Sequence, residues 1–137
     1  MWLLFAFASA FFAGVTAVLA KIGMQNINST VATALRTVIV LAFSWLMVFL
    51  TGATGGIGNI SGKTLVFLIL SGLTTGLSWL CYYKALQDGQ ASVVVPIDKL
   101  SILVTIAFSG LILKEHINRR SAAGLGLLTS GTLLLVL

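Results

Sequence analysis

Two features of the sequence have residue types and spacings that could do chemistry. One is Thr51–Gly58, TGATGGIG, in which Gly52, Gly56 and Gly58 are spaced like the glycines that cradle a dinucleotide's phosphates. Such a loop works only after a buried strand of about 4–8 residues, at the start of a helix, with an acid roughly 20 positions on for the ribose. Here the apolar segment ahead of it, Val31 to Leu50, is far too long for a strand. No acid lies between Gly72 and Trp79, and the next carboxylate is Asp88. Four places after Tyr83 stands Gln87, so no Tyr-x-x-x-Lys pair follows either. The stretch reads as a polar turn between two apolar segments.

The other feature is a small set of charged and aromatic residues inside apolar runs: Arg36, Asp98 and Lys99, with Trp79, Tyr82 and Tyr83. No His/Cys/Asp/Glu group has metal-ligand spacing, and no Ser/His/Asp set can be assembled. The sequence thus predicts no catalytic residues, no bound metal and no cofactor. The single cysteine, Cys81, has no partner for an internal disulfide and reads as a small buried thiol.

What positions these residues follows from composition. Only 8% of the 137 residues are charged and 58% are hydrophobic, with a mean hydropathy of +1.11. A soluble domain carries about 25% charge and has too little interior at this length to hide so much apolar surface. The formal charge of +5 comes from eight basic residues scattered between long apolar runs. That pattern fits a charge bias across a membrane better than a nucleic-acid surface, so no nucleic-acid partner is expected.

About 20 apolar residues cross a bilayer, within a range of 17–25. Five runs meet that length: Trp2–Ala20, Val31–Thr51, Thr64–Tyr83, Ser92–Leu113 and Ser121–Leu137. Backbone amides in lipid need internal partners, so the runs are expected to be helices. The prediction is an all-α membrane protein of one domain, residues 1–137, with five transmembrane helices. Ala8-Ser9-Ala10 mimics a signal-cleavage site, but no basic segment precedes it and the apolar run continues beyond, so the first run is kept as a span. The connections, Lys21–Thr30, Gly52–Lys63, Lys84–Ala91 and Lys114–Arg120, are too short for a further domain. Lys63, Lys114, Arg119 and Arg120 would lie on one side and Lys21 and Lys84 on the other, which puts the N-terminus in the cytoplasm. The small margin leaves dual insertion open.

Helices in lipid associate through small residues that let backbones approach. Stripes at i, i+4 spacing are Ala6, Ala10 and Gly14; Gly72 and Gly76; and Ala122, Gly126 and Ser130. A charge at mid-bilayer costs roughly 2.5–3.5 kcal/mol on insertion scales, which makes Arg36, Asp98 and Lys99 candidates for a substrate or coupling role. Arg36 lies five residues inside its run and Asp98 six inside its own, so an Arg36–Asp98 pair is feasible. The structural alternative has Arg36 and Lys99 snorkelling to the interface and Asp98 favouring the positive end of its helix near Pro96. Trp79, Tyr82 and Tyr83 read as an interfacial belt or as a cavity lining. The loop around His116 reads as a positive anchor, with a ligand or pH-sensing role for His116 as its alternative.

With the runs placed, the sequence resembles one half of an EamA-type transporter of the drug/metabolite transporter superfamily. The residues that carry the likeness are Gly14-Val-Thr-Ala-Val-Leu-Ala-Lys21, Tyr83-Lys-Ala-Leu, Gln90-Ala-Ser-Val-Val-Val-Pro96, Gly110-Leu-Ile-Leu-Lys-Glu115, Gly124-Leu-Gly126 and Gly131. The resemblance implies a five-helix unit, one half of an inverted ten-helix repeat, that moves small metabolites or drugs across the bacterial inner membrane by alternating access. This chain holds one unit, and inverted repeats build their site at the repeat interface. A homodimer, antiparallel by the charge bias, or a pairing with a paralogous half is therefore expected. The first helix has no acid of the kind that small multidrug exporters embed there, which turns the expectation away from proton-coupled export of cationic drugs. A net-positive level at Arg36, Asp98 and Lys99 suits a neutral, zwitterionic or anionic solute. The alternative from another class is a non-transporting membrane partner or scaffold.

Overall fold

A computed structural model describes residues 1–137. The chain is all-helical: α1 (Trp2–Gly23), α2 (Ser29–Leu50), α3 (Gly62–Asp88), α4 (Ala91–Asp98), α5 (Ser101–Phe108) and α6 (Arg119–Val136). A 3₁₀ segment, Ala53–Asn59, follows α2, and a π turn, Ser109–Leu113, extends α5.

The glycine run at Thr51–Gly58 belongs to a helix stop. Thr51 caps α2 by donating its hydroxyl to the Met47 carbonyl at 2.7 Å. Gly52 then turns into the left-handed region at φ 70°, where a side chain would be strained and glycine is not. The remaining residues of the run coil into the 3₁₀ segment. Two helices begin with side-chain caps or their equivalents: the Asn28 side chain accepts from the Thr30 amide at 2.8 Å at the start of α2, and Ser61 Oγ accepts from the Thr64 amide at 3.2 Å at the start of α3.

Four segments are long and apolar enough to cross a membrane: Trp2–Gly23, Ser29–Leu50, Gly62–Asp88 and Ala91–Leu113. Of the five expected spans, the one at Ser121–Leu137 does not reach that standard. It forms α6, whose 18 residues open on Arg119 and Arg120 and alternate leucines with glycines, serines and threonines.

The expected fourth span is not one continuous helix. One turn after Pro96 its bonding tightens from i−4 to i−3: Lys99 N–H reaches the Pro96 carbonyl at 3.1 Å, Leu100 reaches Ile97 at 2.9 Å and Leu103 reaches Leu100 at 2.9 Å. The stretch divides into α4 and α5 at Lys99–Leu100, a local 3₁₀ insert of the kind that bends helices near proline. It ends at Lys114, held in the left-handed region at φ 54°, with its N–H bonded to the Ser109 carbonyl.

By contact the chain forms two compact units, Val18–Gln87 and Met1–Ala17 with Asp88–Leu137. In the first, Ala20 of α1, Met24 just after it, Ser29, Ala32 and Thr33 of α2, and Tyr83 and Leu86 of α3 are buried. In the second, α4 packs on α6, where Thr132 is buried. Nearly every other apolar side chain is exposed, Phe5, Leu41 and Leu127 among them. Water would not tolerate that surface; a bilayer solvates it, and the chain is a membrane protein.

Candidate functional site

The site is built at one end of the Val18–Gln87 unit, where the last turns of α1 and α3 meet the first turns of α2. On α2 the residues Ser29, Ala32, Thr33 and Arg36 fall at i, i+3, i+4 and i+7 and share a face. On α3 the residues Trp79, Tyr83, Leu86 and Gln87 fall at i, i+4, i+7 and i+8 and likewise share a face. Small side chains at Ala32 and Thr33 let the α2 face be buried, and Thr33 hides its hydroxyl by donating to the Ser29 carbonyl at 2.8 Å.

Arg36 projects from this face onto the aromatics of α3. Its guanidinium carbon lies 4.3 Å from the Tyr83 ring centroid and 5.6 Å from that of Trp79, both within cation–π range. The rings are braced in turn: Trp79 meets Tyr83 edge-on at 6.5 Å, and Tyr82 meets Tyr83 edge-on at 5.1 Å. Tyr83 is 3% exposed. Arg36 Nη1 is buried and has no hydrogen-bond partner. A guanidinium offers its charge to a ring while its in-plane donors remain available, and a buried donor left without an acceptor is costly.

Below this cluster α1 and α3 are tied together. Lys21 donates its ammonium to the Leu86 carbonyl at 2.6 Å and to the Gln87 carbonyl at 3.2 Å, so a positive charge meets the negative end of α3. Gln87 donates its amide to the Met24 carbonyl at 2.7 Å, just past the end of α1, and to the Ile27 carbonyl at 2.6 Å, which ties down the turn between α1 and α2. The sequence places Lys21 and Lys84 in loops; in the structure α1 continues to Gly23 and α3 to Asp88, and both lysines are helical. Lys21 and Gln87 are the site residues that sequence reading missed. Their roles lie between helices, and no single-segment pattern carries that information.

Of the predicted site residues, the structure brings together Arg36, Trp79, Tyr82 and Tyr83. Asp98 and Lys99 stand at the break between α4 and α5 and face each other at 3.7 Å, with side chains 37% and 56% exposed. An ion pair that exposed contributes little. The predicted packing residues Ala6, Ala10, Gly14, Gly72, Gly76, Ala122, Gly126 and Ser130 are all exposed. A methyl group added at Gly14, Gly72, Gly76 or Gly126 would meet nothing within 4 Å. Ser130 spends its hydroxyl on its own helix, at the Gly126 carbonyl 2.8 Å away. Cys81, expected to be buried, is exposed on α3, because it lies two residues from Tyr83 and turns to the opposite face. His116 is exposed in the irregular stretch between the π turn and α6.

The profile of the EamA-like transporter family matches residues 1–137. An uncharacterized transporter from the cobO 3′ region of a Sinorhizobium species is 45% identical over 134 residues, 98% of this chain and 95% of that one. An uncharacterized protein of Methanocaldococcus jannaschii is 36% identical over 73 residues, 53% of each chain. No solved structure matches.

Proposed function

This chain belongs to the EamA-like transporter family, and we propose that it is a half-size carrier for small metabolites or drug-like solutes that works by alternating access as a dimer. The observation that carries this reading is the family likeness, which covers the whole chain. At Gly72 and Gly76 of α3 and Gly14 of α1 no other side chain comes within 4 Å of where a methyl group would stand, although such faces let helix backbones touch in lipid. A second unit, either a copy inserted the other way up or a paralogous half, fills them and completes an inverted repeat. Transporters of that design place their solute site between the repeats.

In this reading α6 makes a fifth crossing. Arg119 and Arg120 sit at the interface at its start, and the segment Ser121–Leu137 has the minimal spanning length. The membrane is the bacterial inner membrane, with the N-terminus cytoplasmic in the orientation that the Lys and Arg distribution favours.

The test is flux from purified protein alone in liposomes; a scaffold or regulatory subunit gives none. Pairing has its own readout. Gly72→Leu with Gly76→Leu adds side chains whose Cβ atoms meet nothing within 4 Å and is expected to lower dimer cross-linking at least tenfold, about 1.4 kcal/mol. Unchanged cross-linking removes that face from the interface. Topology follows from tags at both ends: five crossings place them on opposite sides of the membrane, and four place them on the same side.

A further inference from the structure

The buried Nη1 of Arg36 gives the transport reading a chemical class of solute. We propose that Arg36, bracketed by Trp79 and Tyr83, receives the carboxylate of the solute that this protein carries. The inference rests on the reading above and deepens it.

Three observations converge on the same few ångströms. The guanidinium is held in place by ring faces at 4.3 and 5.6 Å, so its rotamer is set before any ligand arrives and little ordering is lost on binding. Ring faces attract the charge but accept none of its in-plane N–H groups. Nη1, buried without a partner, therefore keeps a donor that only an incoming acceptor can satisfy. A planar carboxylate matches the guanidinium fork in two parallel hydrogen bonds. The same aromatic walls that hold Arg36 offer apolar contact to the body of a solute whose acid end reaches the guanidinium.

Two competitors within the molecule are weaker. Asp98 is the acid that depth alone would pair with Arg36, and Nη1 donates a hydrogen bond neither to it nor to any other group. Snorkelling to the interface would turn the guanidinium to lipid headgroups or water, whereas Nη1 is enclosed. Lipid phosphate shares the oxyanion chemistry and is separated by experiment.

The experiment uses the full chain in a neutral detergent, with Trp2→Phe and Trp45→Phe leaving Trp79 as the only indole. Trp79 fluorescence and thermal stability are followed against pairs of a carboxylate and its neutral amide: hexanoate and hexanamide, phenylacetate and phenylacetamide, isovalerate and isovaleramide. At least one acid is expected to bind tenfold or more tightly than its amide. Arg36→Gln erases the difference. Arg36→Lys, which keeps the charge but loses the planar fork, weakens the acid about tenfold and guards against a folding defect in the glutamine variant. If no acid outbinds its amide, or if the preference survives Arg36→Gln, the proposal fails. It fails too if phosphatidylglycerol, added in a separate arm, displaces every acid and binds more tightly than all of them, which assigns Arg36 to lipid. Proteoliposome flux separates this site from the transport reading. Binding without flux removes transport and keeps the site; flux indifferent to Arg36→Gln keeps transport and removes the site.

Discussion

Lys21→Met is expected to destabilise the protein by about 2–4 kcal/mol, on the scale of two hydrogen bonds from a charged donor. The ammonium reaches two carbonyls at the end of α3, Leu86 and Gln87, and methionine fills a similar volume while donating to neither. Those carbonyls then end a helix without their charged donor. The loss is larger than the two bonds alone suggest, because Gln87 ties down the turn between α1 and α2 through Met24 and Ile27. Freeing the last turn of α3 frees the amide that holds that turn. Lys63→Met is the control: Lys63 is exposed in the first turn of α3, where a cation opposes the helix dipole, and its removal is expected to change stability by less than about 0.5 kcal/mol. The comparison is made by unfolding in detergent mixtures with increasing dodecyl sulfate. Equal midpoints for the two variants would exclude Lys21 as a cap.

This arrangement marks how far the sequence could be read. The helices were legible because lipid forces apolar runs of spanning length to close their own hydrogen bonds, and the runs at Trp2, Val31 and Thr64 became α1, α2 and α3. Their ends were not legible. Hydropathy stops at the first lysine, but amide bonding does not, so α1 extends through Lys21 to Gly23 and α3 through Lys84 to Asp88. Those extra turns are where the caps form. The division of Ser92–Leu113 into α4 and α5 was likewise hidden, since Pro96 signals a disturbed helix without fixing where the tightened turn falls. Arg36 could be singled out from its charge in an apolar run, and Trp79, Tyr82 and Tyr83 as aromatics gathered toward one end of the third run. Joining them required the structure. The sequence offered Asp98 as the partner on depth alone, and depth cannot distinguish a carboxylate from an aromatic face.

Leu86→Ala is the second large effect expected, and its size tests whether the packed end of the Val18–Gln87 unit organises the Arg36 site. Leu86 is fully buried, and with Met24 it is among the largest side chains so enclosed. In water such a truncation costs about 2–5 kcal/mol through lost transfer energy and a residual cavity. In a bilayer the unfolded helix meets an apolar solvent, so the transfer part shrinks and the cavity part remains. A loss near the lower end, about 2 kcal/mol, is therefore expected. Leu77→Ala, on the same helix but 65% exposed, opens no cavity and should fall near zero. Leu86→Met, which conserves volume, should cost less than about 1.5 kcal/mol. The functional consequence follows from position. Leu86 lies one turn beyond Tyr83 on the same face of α3, and both are buried. A cavity there loosens the ring beneath the Arg36 guanidinium, so carboxylate affinity should fall with stability in Leu86→Ala and stay at the wild-type level in Leu77→Ala. If both leucine variants lose stability equally, packing at this end is not special. If only Leu86→Ala loses stability and affinity is unmoved, the aromatic bracket is rigid without support from below, and Arg36 is positioned by α2 alone.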